Sequence, residues 1–201
     1  MRHLKDLVSS FPNWVTLLRM ALVPVLVLFI SRKLFWAAFV FFAFLAWTDW
    51  LDGYLARKFG QETPIGKILD PLADKVLVWV TIWMFKFSRD TFYWVLMLFS
   101  VDMALVLFGG LAYWLHATGK VDERAIGANV AGKWKFGFQV AFIVSMFLVE
   151  LGFSKEAISQ FFVLPSSALF WATFLAWASL IGHIVSFLDV LAVRKTSQRA
   201  V

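Results

Sequence analysis

The chain has 201 residues, 61% of them hydrophobic, and a mean hydropathy of +0.77, far more apolar than a soluble domain of this length needs to fill its core. It contains no cysteine, which excludes a thiol nucleophile, a disulfide framework and a cysteine-held metal. The formal net charge of +6 suits loops that touch anionic lipid or bind phosphorylated substrates; it is read as membrane topology and phosphate binding, with no nucleic-acid partner.

In chain order, residues 1–11 set Arg2 and Lys5 beside Leu4, Leu7 and Val8, the pattern of a short amphipathic helix lying on a membrane surface. A membrane span needs about 20 apolar residues. On that criterion the sequence predicts six spans, at 13–31, 35–57, 67–87, 91–115, 130–152 and 163–192. The expected fold class is therefore an all-α integral membrane bundle of six transmembrane helices, one domain over residues 1–201. The 11 Trp and 23 Phe fit helix ends anchored by aromatic side chains and faces turned to lipid. With the N-terminus inside, the inner segments hold Arg2, Lys5, Arg57, Lys58, Lys67, Lys120, Arg124, Lys133, Lys135, Arg194, Lys195 and Arg199. The outer segments hold only Arg32, Lys33, Lys86, Arg89 and Lys155, so both termini are expected in the cytosol.

Charge inside the hydrocarbon slab costs several kcal/mol per group, so an aspartate within a span points to function. Asp49 and Asp52 stand at i,i+3 near the inner end of the second predicted span, and Asp70 and Asp74 at i,i+4 near the start of the third. Both spacings place paired carboxylates on one helix face. At a rise of about 1.5 Å per residue, Asp49 and Asp74 each lie roughly 12 Å above the inner loop on antiparallel neighbours, and Asp52 and Asp70 about 6 to 8 Å above it. The four can converge on a pocket open to the cytosol. Carboxylates held that close repel one another and need cations. An all-oxygen set suits Mg²⁺ or Mn²⁺ rather than zinc, and Mg²⁺ commonly completes its shell with phosphate oxygens, which implies a phosphorylated substrate. Gly53, Ala56 and Gly66 make small surfaces for a close approach, and Arg57, Lys67 and Lys75 are cations able to offset phosphate charge.

These residues form the pattern DxxDGxxAR(x8)GxxxDxxxD, with Asp49, Asp52, Gly53, Ala56, Arg57, Gly66, Asp70 and Asp74 at its fixed positions. The pattern resembles the signature of the CDP-alcohol phosphotransferase family. The resemblance implies transfer of a phosphatidyl group from CDP-diacylglycerol to an alcohol, with release of CMP. It implies a pair of divalent ions on Asp49, Asp52 and Asp70, with Asp74 contributing to the metal site and acting as general base. Coupled carboxylates titrate together, so spacing leaves Asp70 as well as Asp74 a catalytic candidate. Gly53, Ala56, Arg57 and Gly66 would shape the CDP pocket.

Two further segments bear on the acceptor. Pro12-Asn13-Trp-Val-Thr16-Leu-Leu-Arg19 is similar to the PNxxTxxR opening of phosphatidylglycerolphosphate and cardiolipin synthases, which makes Asn13, Thr16 and Arg19 accessory candidates. Gly132-Lys133-Trp-Lys135-Phe136-Gly-Phe-Gln139 is similar to the GKxKTxxQ segment of the same enzymes, with Phe136 in place of the usual Thr. The fourth span carries Val101-Asp102 where those enzymes often have Arg followed by an acidic residue. Lys133, Lys135 and Arg124 are expected to hold the phosphate of glycerol 3-phosphate, with phosphatidylglycerol and inositol phosphate as alternative acceptors. Asp102, Glu150, His183 and Asp189 read as isolated bundle or subunit contacts. Small residues in the last span, among them Ser166, Ser167, Ala168, Ala172 and Ala176, would allow the close helix contacts of a homodimer. A transporter would also place aspartates in a bundle, but it would set them near the midplane rather than in two pairs at the cytosolic end.

Overall fold

The structure, a computed structural model, describes the backbone of residues 11–59, 66–118, 130–161 and 165–199, and side chains within 16–48, 51, 72–115, 118, 130–154, 156–159 and 165–189. The expected interfacial helix at 1–11 falls almost wholly outside the described residues. Seven helices follow in order among the described residues: α1 (Phe11–Ser31), α2 (Phe35–Phe59), α3 (Gly66–Trp83), α4 (Arg89–Ala117), α5 (Val130–Glu150), α6 (Lys155–Phe161) and α7 (Pro165–Arg199). There is no strand among the described residues.

The helix ends follow local chemistry. Lys33 takes the left-handed conformation (φ 58°), and the amides of Lys33 and Leu34 close back on the carbonyls of Ile30 and Phe29, a Schellman stop for α1. Gly152 (φ 91°) does the same for α5, with its own amide on Val149 and that of Phe153 on Leu148. The predicted third span runs to residue 87, but α3 ends at Trp83. Its last turn tightens into bonds from Met84 to Thr81 and from Phe85 to Ile82, and Ser88 then caps α4 by accepting from the Thr91 amide. The short α6, which the six predicted spans leave within a connection, is capped likewise by Ser154 on the Ala157 amide at 3.2 Å. α7 opens on Pro165, a position where a missing N–H costs nothing.

Two compact units result, Met1–Lys86 with Ile143–Ile158, and Phe87–Phe142 with Ser159–Val201. In the first, α1 packs on both α2 and α3. Its core includes Leu26, Ala38, Leu45 and Ile82, with Phe147 fully buried and in ring contact with Phe39, Phe42 and Phe85 at centroid distances of 5.7, 6.0 and 5.0 Å. In the second, α4 packs on α7 around Val95, Leu98, Ala112, Phe142 and the buried seam of Ala168, Ala172 and Ala176. The seam alanines, expected as candidates for a subunit contact, are thus already buried within the chain.

Arg89–Leu115, Val130–Glu150 and Pro165–Asp189 are long and apolar enough to cross a membrane, and Thr16–Ser31 and Phe35–Thr48 are shorter apolar helical stretches. Leu107, Val40, Trp36 and Phe174 keep 74, 63, 62 and 57% of their surface exposed, a loss in water and none in hydrocarbon. The molecule is an integral membrane protein.

Candidate active site

The predicted carboxylate pairs fall on helices at the expected spacings, Asp49 and Asp52 in the last turns of α2, and Asp70 and Asp74 in the first turns of α3. α1 lies against both helices and contributes a side chain to the set. Arg19 Nη1 donates to Asp74 Oδ1 at 2.7 Å across 55 residues of sequence. The arginine side chain is 1% exposed and the aspartate 27%. Arg19 therefore does not extend to the membrane interface, the alternative role of a cation near a helix end. It is among the largest fully buried side chains, and Thr16, one turn earlier, is buried beside it at 1%.

Burying a guanidinium is tolerated when it meets an opposite charge. Asp74 supplies that charge, and Arg19 in return holds one carboxylate oxygen in place while the side chain keeps a quarter of its surface reachable. Lys75, the next residue on α3, is half-buried. The side chains of Asn13, Asp49, Asp52, Ala56, Arg57, Lys67 and Asp70 lie outside the described residues, as does the whole of Arg124; Gly53 and Gly66 lie in helical backbone. As a donor set, the signature acids are uniformly carboxylate, the chemistry of a hard divalent cation. Asp74, charged, fixed and still reachable, is compatible with that use.

The second unit holds a different charged cluster. Asp102 of α4 is 1% exposed, Lys135 of α5 6% and Gln139, one turn beyond Lys135, 2%. Lys135 Nζ donates to Asp102 Oδ1 at 2.5 Å, and Gln139 Nε2 donates to Asp102 Oδ2 at 2.7 Å. Lys133 and Trp134 are exposed on the same helix. The structure thus separates the two lysines expected at the acceptor phosphate: Lys133 is open and Lys135 is buried against a carboxylate. Asp102, read from sequence as an isolated contact, is the centre of a network built from two members of the Gly132–Gln139 segment. The spacing of Lys135 and Gln139 at i,i+4, together with Asp102 as the one acidic residue inside a long apolar span, is the signal that marks it.

The family model described as CDP-alcohol phosphatidyltransferase matches residues 9–185 of the chain. A Yersinia pestis protein called CDP-diacylglycerol--glycerol-3-phosphate 3-phosphatidyltransferase is 31% identical over 180 residues, covering 86% of this chain and 97% of its own. A Bacillus subtilis protein of the same name is 32% identical over 160 residues, 72% of this chain and 79% of its own. A third of that name, from Pseudomonas fluorescens, is 49% identical over 76 residues, 36% of this chain and 39% of its own.

Proposed function

Because the chain belongs to the CDP-alcohol phosphatidyltransferase family, we propose that this membrane enzyme transfers the phosphatidyl group of CDP-diacylglycerol to glycerol 3-phosphate, forming phosphatidylglycerolphosphate and CMP. The observation that carries the acceptor is the likeness, over 86% of the chain, to a relative named for that reaction. The Gly132–Gln139 segment supports it with cations suited to a second phosphate.

In this reading the free hydroxyl of the acceptor attacks the phosphorus that bears the diacylglycerol. The bond from that phosphorus to the oxygen bridging to CMP breaks, and CMP leaves with the electron pair. Asp74 takes the hydroxyl proton. The grip of Arg19 keeps one oxygen of Asp74 fixed, so the carboxylate need not be ordered at the moment of reaction. Asp49, Asp52 and Asp70 with Asp74 would hold divalent metal, Mg²⁺ or Mn²⁺ and two ions. When bound, the metal would neutralise the pyrophosphate and stabilise charge on the leaving phosphate. Gly53, Ala56 and Gly66 let the nucleotide approach the backbone, Arg57 and Lys67 offset its charge, and Asn13 and Thr16 support the same pocket. Lys133, Lys135 and Arg124 bind the acceptor phosphate.

The chain acts as a single transferase domain of six spans with the site and both termini in the cytosol, working in lipid and as a homodimer. The test is a CMP-release assay on detergent-purified protein across several alcohols. Glycerol 3-phosphate should be the preferred acceptor, and Lys133→Ala and Lys135→Ala should raise its KM well above any change for CDP-diacylglycerol. Turnover only with phosphatidylglycerol or inositol phosphate would overturn the acceptor while leaving the transferase reading intact.

A further inference from the structure

The network of Asp102, Lys135 and Gln139 is an expensive thing to place in an apolar bundle. A buried ion pair recovers its desolvation cost only with good geometry and further hydrogen bonds, and exchange for apolar residues is often neutral or better. Its internal balance is uneven. The Asp102 carboxylate has a partner on each oxygen, Lys135 on Oδ1 and Gln139 on Oδ2. The Lys135 ammonium has three donors, and among the described residues Asp102 is its one acceptor. A purely structural clip would be served better by arginine, whose planar fork spans both carboxylate oxygens. Here Gln139 occupies the second oxygen, and a compact cation keeps donors to spare in a side chain 8% exposed.

We propose that Asp102 is a positioning residue, locked by Gln139, that fixes the Lys135 ammonium so that its remaining N–H groups take an oxygen of the acceptor's phosphate. The inference rests on the acceptor assignment above and adds two residues to it. Asp102 and Gln139 touch no substrate. They act by removing the rotamer freedom of a long flexible side chain before the acceptor arrives, which lowers the cost of binding. Asp102 also keeps Lys135 paired when no acceptor is present, so that no lone cation stands in the bundle.

The test uses the full chain purified in detergent, with steady-state CMP release varied in each substrate and calorimetric titration of glycerol 3-phosphate alone. Asp102→Asn should raise the KM and the dissociation constant for glycerol 3-phosphate about tenfold or more, the scale of one charge-assisted contact, with kcat and the KM for CDP-diacylglycerol within about threefold. Gln139→Leu removes no charge and should move the same two constants in the same direction by less, so it carries the test if Asp102→Asn does not fold. If Lys135→Met weakens glycerol 3-phosphate while Asp102→Asn and Gln139→Leu do not, the positioning role is wrong and the acceptor site stands. If Lys135→Met also leaves glycerol 3-phosphate binding unchanged, the assignment of Lys135 to the acceptor fails, and the inference with it. A parallel loss in kcat and in both KM values would make the network a structural clip and overturn the proposal.

Discussion

The Arg19–Asp74 pair joins α1 to α3 and leaves the carboxylate side chain 27% exposed, so that one oxygen is fixed while the group stays reachable. Asp49, Asp52, Asp70 and Asp74 are legible because charge in an apolar span needs a reason and because their i,i+3 and i,i+4 spacings share helix faces. The pairing of Arg19 with Asp74 is not legible, since it crosses 55 positions and exists only because α1 packs on α3. The pairing of Asp102 with Lys135 is hidden in the same way, across 33 positions, although Asp102 stands out as the one acidic residue inside its apolar span. On the proposed mechanism, Asp49→Asn, Asp52→Asn, Asp70→Asn and Asp74→Asn each lower turnover by orders of magnitude. The first three should still insert and fold, because losing charge seldom harms a lipid-embedded bundle, whereas Asp74→Asn also leaves the buried Arg19 without its counter-charge and should lower stability. Near-normal turnover in any one would remove that residue from the site. Arg19→Met should lower kcat about a hundredfold or more by releasing Asp74, whereas Arg19→Lys, which keeps the charge and one donor, should retain more of it. Equal kcat in the two variants, with matched melting temperatures, would show that the pair only joins α1 to α3.

The helices themselves are legible from hydrophobic length, and all six predicted spans begin within two residues of an observed helix start. The misses are at ends and in the short element. α3 stops at Trp83 because its last turn tightens and Ser88 caps the next helix, choices that hydropathy does not register. α6 has 7 residues, two turns, too few to display a period. The left-handed stops are testable. Gly152 has φ 91° with open space where a Cβ would stand, so Gly152→Ala meets no clash and should still destabilise by about 1 kcal/mol through backbone strain. Lys33 adopts φ 58° with a side chain, so Lys33→Gly should stabilise by up to about 1 kcal/mol. Unfolding in detergent reads both, and shifts of the opposite sign would contradict the assigned caps.

For the whole molecule, composition and surface name the same solvent: with 61% hydrophobic residues and large apolar side chains such as Leu107 and Phe174 outward, lipid is the medium in which this protein is stable. The excess of basic residues in the inner segments predicts that reporters fused at either terminus lie in the cytosol, and an external signal from either would reverse the orientation. The homodimer is expected as a doubled protein mass in mild detergent, and a monomer with full activity would count against it. The transfer reaction itself is tested by a single assay. Purified protein is given CDP-diacylglycerol and glycerol 3-phosphate with Mg²⁺ or Mn²⁺, with and without excess chelator, while CMP and the lipid product are followed together. CMP and phosphatidylglycerolphosphate should form in equal amounts, with no turnover in chelator, recovery when metal returns, and none of this from Asp74→Asn. Full activity in chelator, or CMP release that does not depend on an alcohol acceptor, would overturn metal-dependent phosphatidyl transfer.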